Sequence, residues 1–474
     1  MERPSGIEPS ERDGYTLNGS DAFMLAMDYA MRKEGTSGNV CHILLTLAPS
    51  LTEPTETAET TATIADHQGS IDQIIFALSA NPEFIRLTSL RLVKPLFQPP
   101  RWRRLPAPSS PAPKLAPQQT PAHVREVPLK TEIELQQAIL AHTIDPRHEP
   151  PFGAWYLPHY ERGCSIVFFW HHALTDAKGG EALVSLFSHR TSTLSLPSTT
   201  GTQTLPIDGA TLQTARRALV RTLFAKASPK IAVFSTTKRA SPKQRYKKIS
   251  FSPQESTAID SLSRTLTNGM FPTAMYLAAT ARAAAPLFTT SPKSGTGSTT
   301  ECPIFIPVPL EIRRHTKETS PLSNQVSFLF FSLRISAQNT LRTDTDNCID
   351  QMHGSLAENL QWGMLGLLYK VSRLPSWLAW QIFEKPTRGH PASLYFSDIG
   401  HTFRGLKSFL GAEVLHATHY PPHITPPGLT TVWSRCNDAL EVTICYDEAR
   451  LGGESGIEQF VANLRTELLP EPAV

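Results

Sequence analysis

Residues 164–176 read Cys-Ser-Ile-Val-Phe-Phe-Trp-His-His-Ala-Leu-Thr-Asp. The first seven form an almost unbroken apolar run of β-branched and aromatic side chains, the pattern of a strand buried on both faces. His171 and His172 follow at once, then Asp176 and the glycines at 179 and 180. Imidazole titrates near neutral pH, and the end of a rigid strand is a suitable place from which to move a proton. Asp176 can turn back to order the loop, and the two glycines can let the chain reverse tightly before a helix that starts near 179. The histidines also admit two blander readings, as a capping pair or as metal ligands. Adjacent histidines rarely ligate one ion and no further ligand cluster is evident, so no metal is expected.

Working outward, helical spacing predicts helices over 21–33 (capped by Asn18 or Ser20), 71–78, 131–141, 212–226, 272–285 and 455–468, and one long helix over 348–368. Strands are expected at 40–47, 303–308, 326–333, 393–399, 430–434 and 439–446. The irregular alternation indicates layers of helix on sheet, an α/β fold. Prolines crowd 95–128, which reads as an extended or polyproline connection. Its Arg101-Trp-Arg-Arg104 cluster reads as a solvated basic loop able to touch an anion. The expected division is a first half over 1–190, a connector of irregular composition over 191–245, and a second half over 246–474. The connector ends in 238–248, where six basic residues stand without an acid.

The whole chain carries 45 basic and 42 acidic side chains, net +3 with histidines neutral, which disfavours a nucleic-acid partner. Its 40% apolar share suits a core but not a multi-span membrane protein. The six cysteines are scattered without CxxC or Cys/His spacing, so neither zinc nor a disulfide framework is indicated. With a polar N-terminus lacking a signal-peptide core, a cytoplasmic location is the expectation. The aromatic stretch 362–383 is broken by Lys370, Arg373 and Pro375. It suits core or tunnel packing, with peripheral membrane contact as the other reading.

His171-His172-Ala-Leu-Thr-Asp176-Ala177 resembles the HHxxxDG motif of the CoA-dependent acyltransferase superfamily. That group includes chloramphenicol acetyltransferase, peptide-synthetase condensation domains, plant BAHD enzymes and wax ester synthase/diacylglycerol acyltransferases. The last of these is the most similar in order of segments, from Leu-Asn-Gly-Ser-Asp at 17–21 through 122–129, 144–152 and 267–283 to 306–314, 322–333 and 394–405. Three places depart from the pattern: Ala177 replaces the motif glycine, Ser323-Asn324 stands where Gly-Asn is usual, and Ser397-Asp398-Ile399-Gly400 replaces NVPG. The last departure is closer to alcohol acetyltransferases and condensation domains.

The resemblance implies two chloramphenicol-acetyltransferase-like α/β sandwich halves with a tunnel between them. It implies an acyltransferase moving an acyl group from a thioester to a hydroxyl or amine, with His172 as general base. Asp176 would hold the loop by pairing with Arg313 or Arg314, and His171 would be structural rather than catalytic. Candidate oxyanion or substrate donors are Asn324, Ser327, Ser397, Thr430 and Thr431. No bound cofactor is implied. The co-substrate would be acyl-CoA or an acyl-carrier-protein thioester. A condensation-type enzyme acting on carrier-bound intermediates is the nearest alternative, and an inactive binding or scaffold descendant is another.

Overall fold

The computed structural model describes residues 14–48, 73–95, 98–105, 124–158, 160, 164–188, 205–227, 231–234, 243–288, 301–315, 320–384 and 390–469. The chain begins with β1 (Gly14–Thr16) and α1 (Gly19–Lys33), where Asn18 and Asp21 form a capping box. Next come β2 (Val40–Leu47), α2 (Pro82–Thr88), β3 (Leu90–Val93), β4 (Arg101–Arg104) and β5 (Val124–Glu126). Then follow α3 (Glu132–Ala141), β6 (Phe152–Leu157), β7 (Cys164–His171), α4 (Ala177–Phe187) and α5 (Gly209–Ala227). β7 lies inside a six-stranded sheet ordered β12-β13-β2-β7-β6-β5, of which β12 (Ser408–Phe409) and β13 (Ala412–Tyr420) come from far down the chain. Its continuous apolar run is explained by that place: neighbours on both edges and side chains buried on both faces.

The later elements are β8 (Gln244–Ser250), α6 (Pro253–Thr267), α7 (Pro272–Ala284), β9 (Cys302–Glu311) and β10 (Val326–Ile335). They continue with α8 (Leu341–Ala357), α9 (Leu360–Val371), α10 (Ser376–Glu384) and β11 (Tyr395–His401). After β12 and β13 come β14 (Leu429–Cys436), β15 (Ala439–Asp447), α11 (Glu448–Leu451) and α12 (Glu454–Leu468). Strands β11-β14-β15-β8 make a second sheet, and β9 and β10 pair as a ten-residue antiparallel ribbon beside it. Two principal cores result. One packs α1 and α4 with the first sheet, and the other packs α6, α7 and α12 with the second. Strand pairing therefore crosses the expected division at 246, because β13 zips onto β2 from Val414↔Leu47 to Tyr420↔His42.

Three local expectations need correction. Arg101–Arg104 is a strand between β1 and β3, not a loop. One fully buried side chain, Trp102, faces inward while the arginines stay in water, and that anchor outweighs the flanking prolines. The long helix over 348–368 is two helices, α8 and α9, separated at Asn359, whose left-handed φ of 57° interrupts helical geometry. Gly179 and Gly180 do not reverse the chain, since both lie inside α4. Gly180 is needed for contact: a Cβ there would sit 2.6 Å from the Trp170 ring. Strands β1, β3, β5, β6, β8, β12 and β13 and helices α2, α6 and α10 went unpredicted. Of the expected helix over 71–78, residues 73–78 are helical and 71–72 lie outside the described residues, as do 191–204, 228–230 and 235–242 of the connector. All six cysteines are buried and unbridged.

Candidate active site

Strand β7 ends at His171, and the next five residues are pinned from both sides. The backbone N–H of His172 donates to Asn39 O (2.8 Å), and the indole N–H of Trp170 donates to Thr175 O (3.0 Å). Thr175 donates through its hydroxyl to Pro321 O (2.6 Å), and Ser323 N–H donates to Leu174 O (2.8 Å). A parallel bridge links Thr175 to Ser323, so the loop after β7 is stitched to the segment before β10. Ser323 sits at φ 72°, a conformation that glycine adopts without strain. Ala177 needs no glycine, because it is simply the first residue of α4.

Asp176 caps α4, its Oδ1 accepting from Gly179 N–H at 2.8 Å. Its other oxygen accepts from Gln325 N–H at 2.7 Å, and Arg313 Nη2 reaches both oxygens at 3.2 and 3.1 Å. Arg313, not Arg314, is the arginine at Asp176; Arg314 is exposed. The carboxylate thus joins a helix start, a second-half loop and a cation in one buried place, which holds the histidine loop against the other half of the molecule.

The two histidines have different surroundings. His171 is fully buried; its Nδ1 accepts from Ala173 N–H at 3.1 Å, which leaves the ring proton on Nε2, 3.5 Å from Asp28 Oδ1. Burial pushes the Asp28 carboxyl up, but His171 and Arg32 overcome it and hold the group well below the usual carboxylate range. His171 therefore ties the strand end to α1. His172 instead lines a cavity of ≈ 410 Å³. Burial lowers its pKa below 6.5, opposed by its own backbone, by the Asp176 charge and by Asn324. The imidazole is consequently neutral at pH 7, with a basic nitrogen.

Walls from both halves enclose this cavity, including α1, β2 and β7 on one side and β9, β10, β11 and β14 on the other. Ser397 and Thr430 line it, whereas Thr431 is fully buried and, by strand alternation, faces away. Ser327 is buried elsewhere and donates to Gln361 O at 2.7 Å. Asn324 is engaged within the protein. Its two amide hydrogens go to Asp21 Oδ1 (2.8 Å) and His172 O (2.7 Å), so neither is available to a substrate. Asp21 also accepts from Asn324 N–H (2.6 Å) and Asn18 N–H (2.9 Å), yet burial raises its carboxyl to about 7.

Sequence reasoning missed Asp21 and Asn18 as site supports, although the capping box they form was legible. It also missed Glu181, a buried carboxylate that binds Lys178 (3.0 Å), His419 (3.0 Å) and Phe403 N–H (3.1 Å). Lys178 and His419 line the cavity. Phe403 and His419 lie more than 200 positions away from Glu181 in sequence, so no local pattern marks them.

No family model matches the chain, and no curated protein matches its sequence. Solved structures do. Trichothecene 15-O-acetyltransferase from Fusarium sporotrichioides is similar with a TM-score of 0.66 at 13% identity, covering 96% of this chain and 95% of that one. The first condensation domain of the CDA synthetase gives 0.65 at 13% identity over 98% of both chains. The wax ester synthase/diacylglycerol acyltransferase from Marinobacter aquaeolei gives 0.53 at 14% identity, covering 96% of this chain and 98% of that one. The α/β fold of this chain is similar to that of this acetyltransferase, this condensation domain and this wax ester synthase/diacylglycerol acyltransferase.

Proposed function

We propose that this chain is an acyltransferase that moves an acyl group from a thioester to a hydroxyl or amine. The observation that carries the reading is His172: a neutral imidazole at a strand end, facing a cavity walled by both halves. Its basic nitrogen takes the acceptor proton as the acceptor atom attacks the thioester carbonyl, then delivers that proton to the departing thiolate. Asp176 and Arg313 act as positioning residues, holding the loop that carries His172. Ser397 and Thr430, as polar residues of the cavity wall, are the donors proposed for the developing oxyanion. The cavity serves as the meeting place in a tunnel with thioester and acceptor arriving from opposite faces. Acyl-CoA is the proposed donor. The condensation-domain neighbours favour a second donor, an acyl-carrier-protein thioester.

The test is purified protein incubated with acyl-CoA, or with acyl-loaded carrier protein, across a panel of alcohols and amines, products read by mass spectrometry. His172→Ala should lower turnover by roughly 10²- to 10⁴-fold while leaving the melting temperature near the parental value. Parental turnover in that variant overturns the mechanism. Activity only with the carrier protein assigns the donor to the second reading.

A further inference from the structure

The segment Ser397-Asp398-Ile399-Gly400 places a carboxylate on the cavity wall that the protein itself does not neutralise. β11 is the edge of the second sheet, paired only with β14, and its register shifts between Asp398 and Gly400, whose φ is 68°. A bulge on an edge strand re-aims side chains that strict alternation would send to opposite faces. Tyr395 through Ile399 accordingly all line the cavity. Two contacts fix the half-buried Asp398 carboxylate. Thr273, at the start of α7, donates its hydroxyl to Oδ2 (2.5 Å), and Gly400 N–H donates to Oδ1 (2.9 Å). Each oxygen keeps capacity for a further donor. The other charges of the wall are already matched. Asp176 and Glu311 share Arg313, while Lys178 gives its hydrogens to both oxygens of Glu181 (3.1 and 3.0 Å) and to His401 O (2.6 Å). Arg435 is held by Asp260 (2.6 Å) and Asp438 O (3.0 Å). Among the described residues no basic side chain pairs with Asp398. Burial raises its carboxyl above the usual value, against Thr273, Gly400 N–H and the more distant charges of Lys178 and Arg435.

We propose that Asp398 is a specificity-determining residue that binds a protonated amine of the acyl acceptor, a molecule whose other end presents its reacting hydroxyl or amine to His172. The inference rests on the acyl-transfer reading for the reaction and adds the class of acceptor, an amino alcohol or a diamine. The nitrogen at Asp398 does not react, because an ammonium that keeps its proton against a carboxylate has no lone pair with which to attack a thioester. The reacting end is the one that gives its proton to the neutral ring of His172. Lys178 cannot fill the place of the ammonium, since Glu181 and His401 O hold it. A hydroxyl beside Asp398 would make a hydrogen bond without charge on the donor. The ammonium should bind roughly tenfold more tightly.

Calorimetric titration of the full chain, with no thioester present, tests the site apart from the reaction. The probes are 4-amino-1-butanol, 6-amino-1-hexanol and 8-amino-1-octanol, each against the diol of the same length. At least one amino alcohol should bind roughly tenfold more tightly than its diol. Asp398→Asn, which can still bond to Thr273 and Gly400, should erase that preference, and Glu311→Gln should keep it. Equal affinities in the parental protein, no detectable binding of any amino alcohol, or a preference that survives Asp398→Asn overturns the proposal. A preference lost in Glu311→Gln would assign the cation to that acid and overturn it too. If Asp398→Asn fails to fold, the parental comparison and Glu311→Gln still decide. In acyl transfer, Asp398→Asn should raise KM for the amino alcohol roughly tenfold, with kcat near parental and KM for the diol unchanged, whereas a merely structural role would move both substrates alike. An amine preference in a protein that transfers no acyl group would reject the acyl-transfer reading alone. Active transfer with equal affinities would reject this inference alone.

Discussion

His172 is the residue on which the proposed chemistry turns, and its environment sets a pH dependence whose sign can be worked out. Burial favours the neutral ring, so the folded pKa lies below 6.5. A base works when deprotonated. kcat/KM should therefore be flat above about 6.5 and fall as pH drops through a midpoint below it, read from a pH–rate profile. A midpoint above 7 would contradict the burial argument. The same shift bears on stability: the neutral-ring preference stabilises the fold above pH 6.5, and that contribution is lost as pH falls through the lowered value. At this scale the histidine cluster stands out in the sequence, because adjacent histidines after an apolar run are unusual. It could not separate Arg313 from Arg314, nor see that Asn324 has both amide hydrogens committed, since those facts depend on partners more than 130 residues away.

Among the elements, α4 and its docking on β7 matter most for keeping the histidine loop in place. Gly180 allows α4 to lie against the Trp170 ring, and an added methyl would come within 2.6 Å of two ring carbons. Gly180→Ala should destabilise the fold by roughly 1–3 kcal/mol, measured by chemical denaturation; no loss would mean that Trp170 moves freely. Most elements were legible because helical and strand periodicities are local signals. At two places a single residue decided against the local reading: Trp102 turning a proline-flanked basic segment into β4, and Asn359 dividing one apparent helix into α8 and α9. In β13 the alternation over 412–420 is imperfect, with four buried residues in a row at its end, because that end lies inside the first sheet.

For the whole molecule, the seam between the two sheets includes His416 on β13 and Glu441 on β15, 3.0 Å apart. Cys436 and Glu441 push His416 up to about 9, against the opposing effect of burial. A raised histidine contributes stability in full below its unfolded value near 6.5 and loses it as pH rises through about 9. His416→Gln should therefore lower the melting temperature at pH 6 and match the parental protein above about pH 10. The effect should be modest, about 1 kcal/mol or less, since a third of the side chain meets solvent. The sequence by itself determined the α/β class, the buried strand β7 and the histidines at its end, because apolar periodicity and residue chemistry are carried by near neighbours. The tertiary structure alone decided that β13 crosses into the first sheet, that Arg313 is the cation at Asp176, and that Glu181 meets His419 beside the cavity. Each joins residues far apart in the chain, and burial, ion pairing and cavity shape exist only once those residues have been brought together.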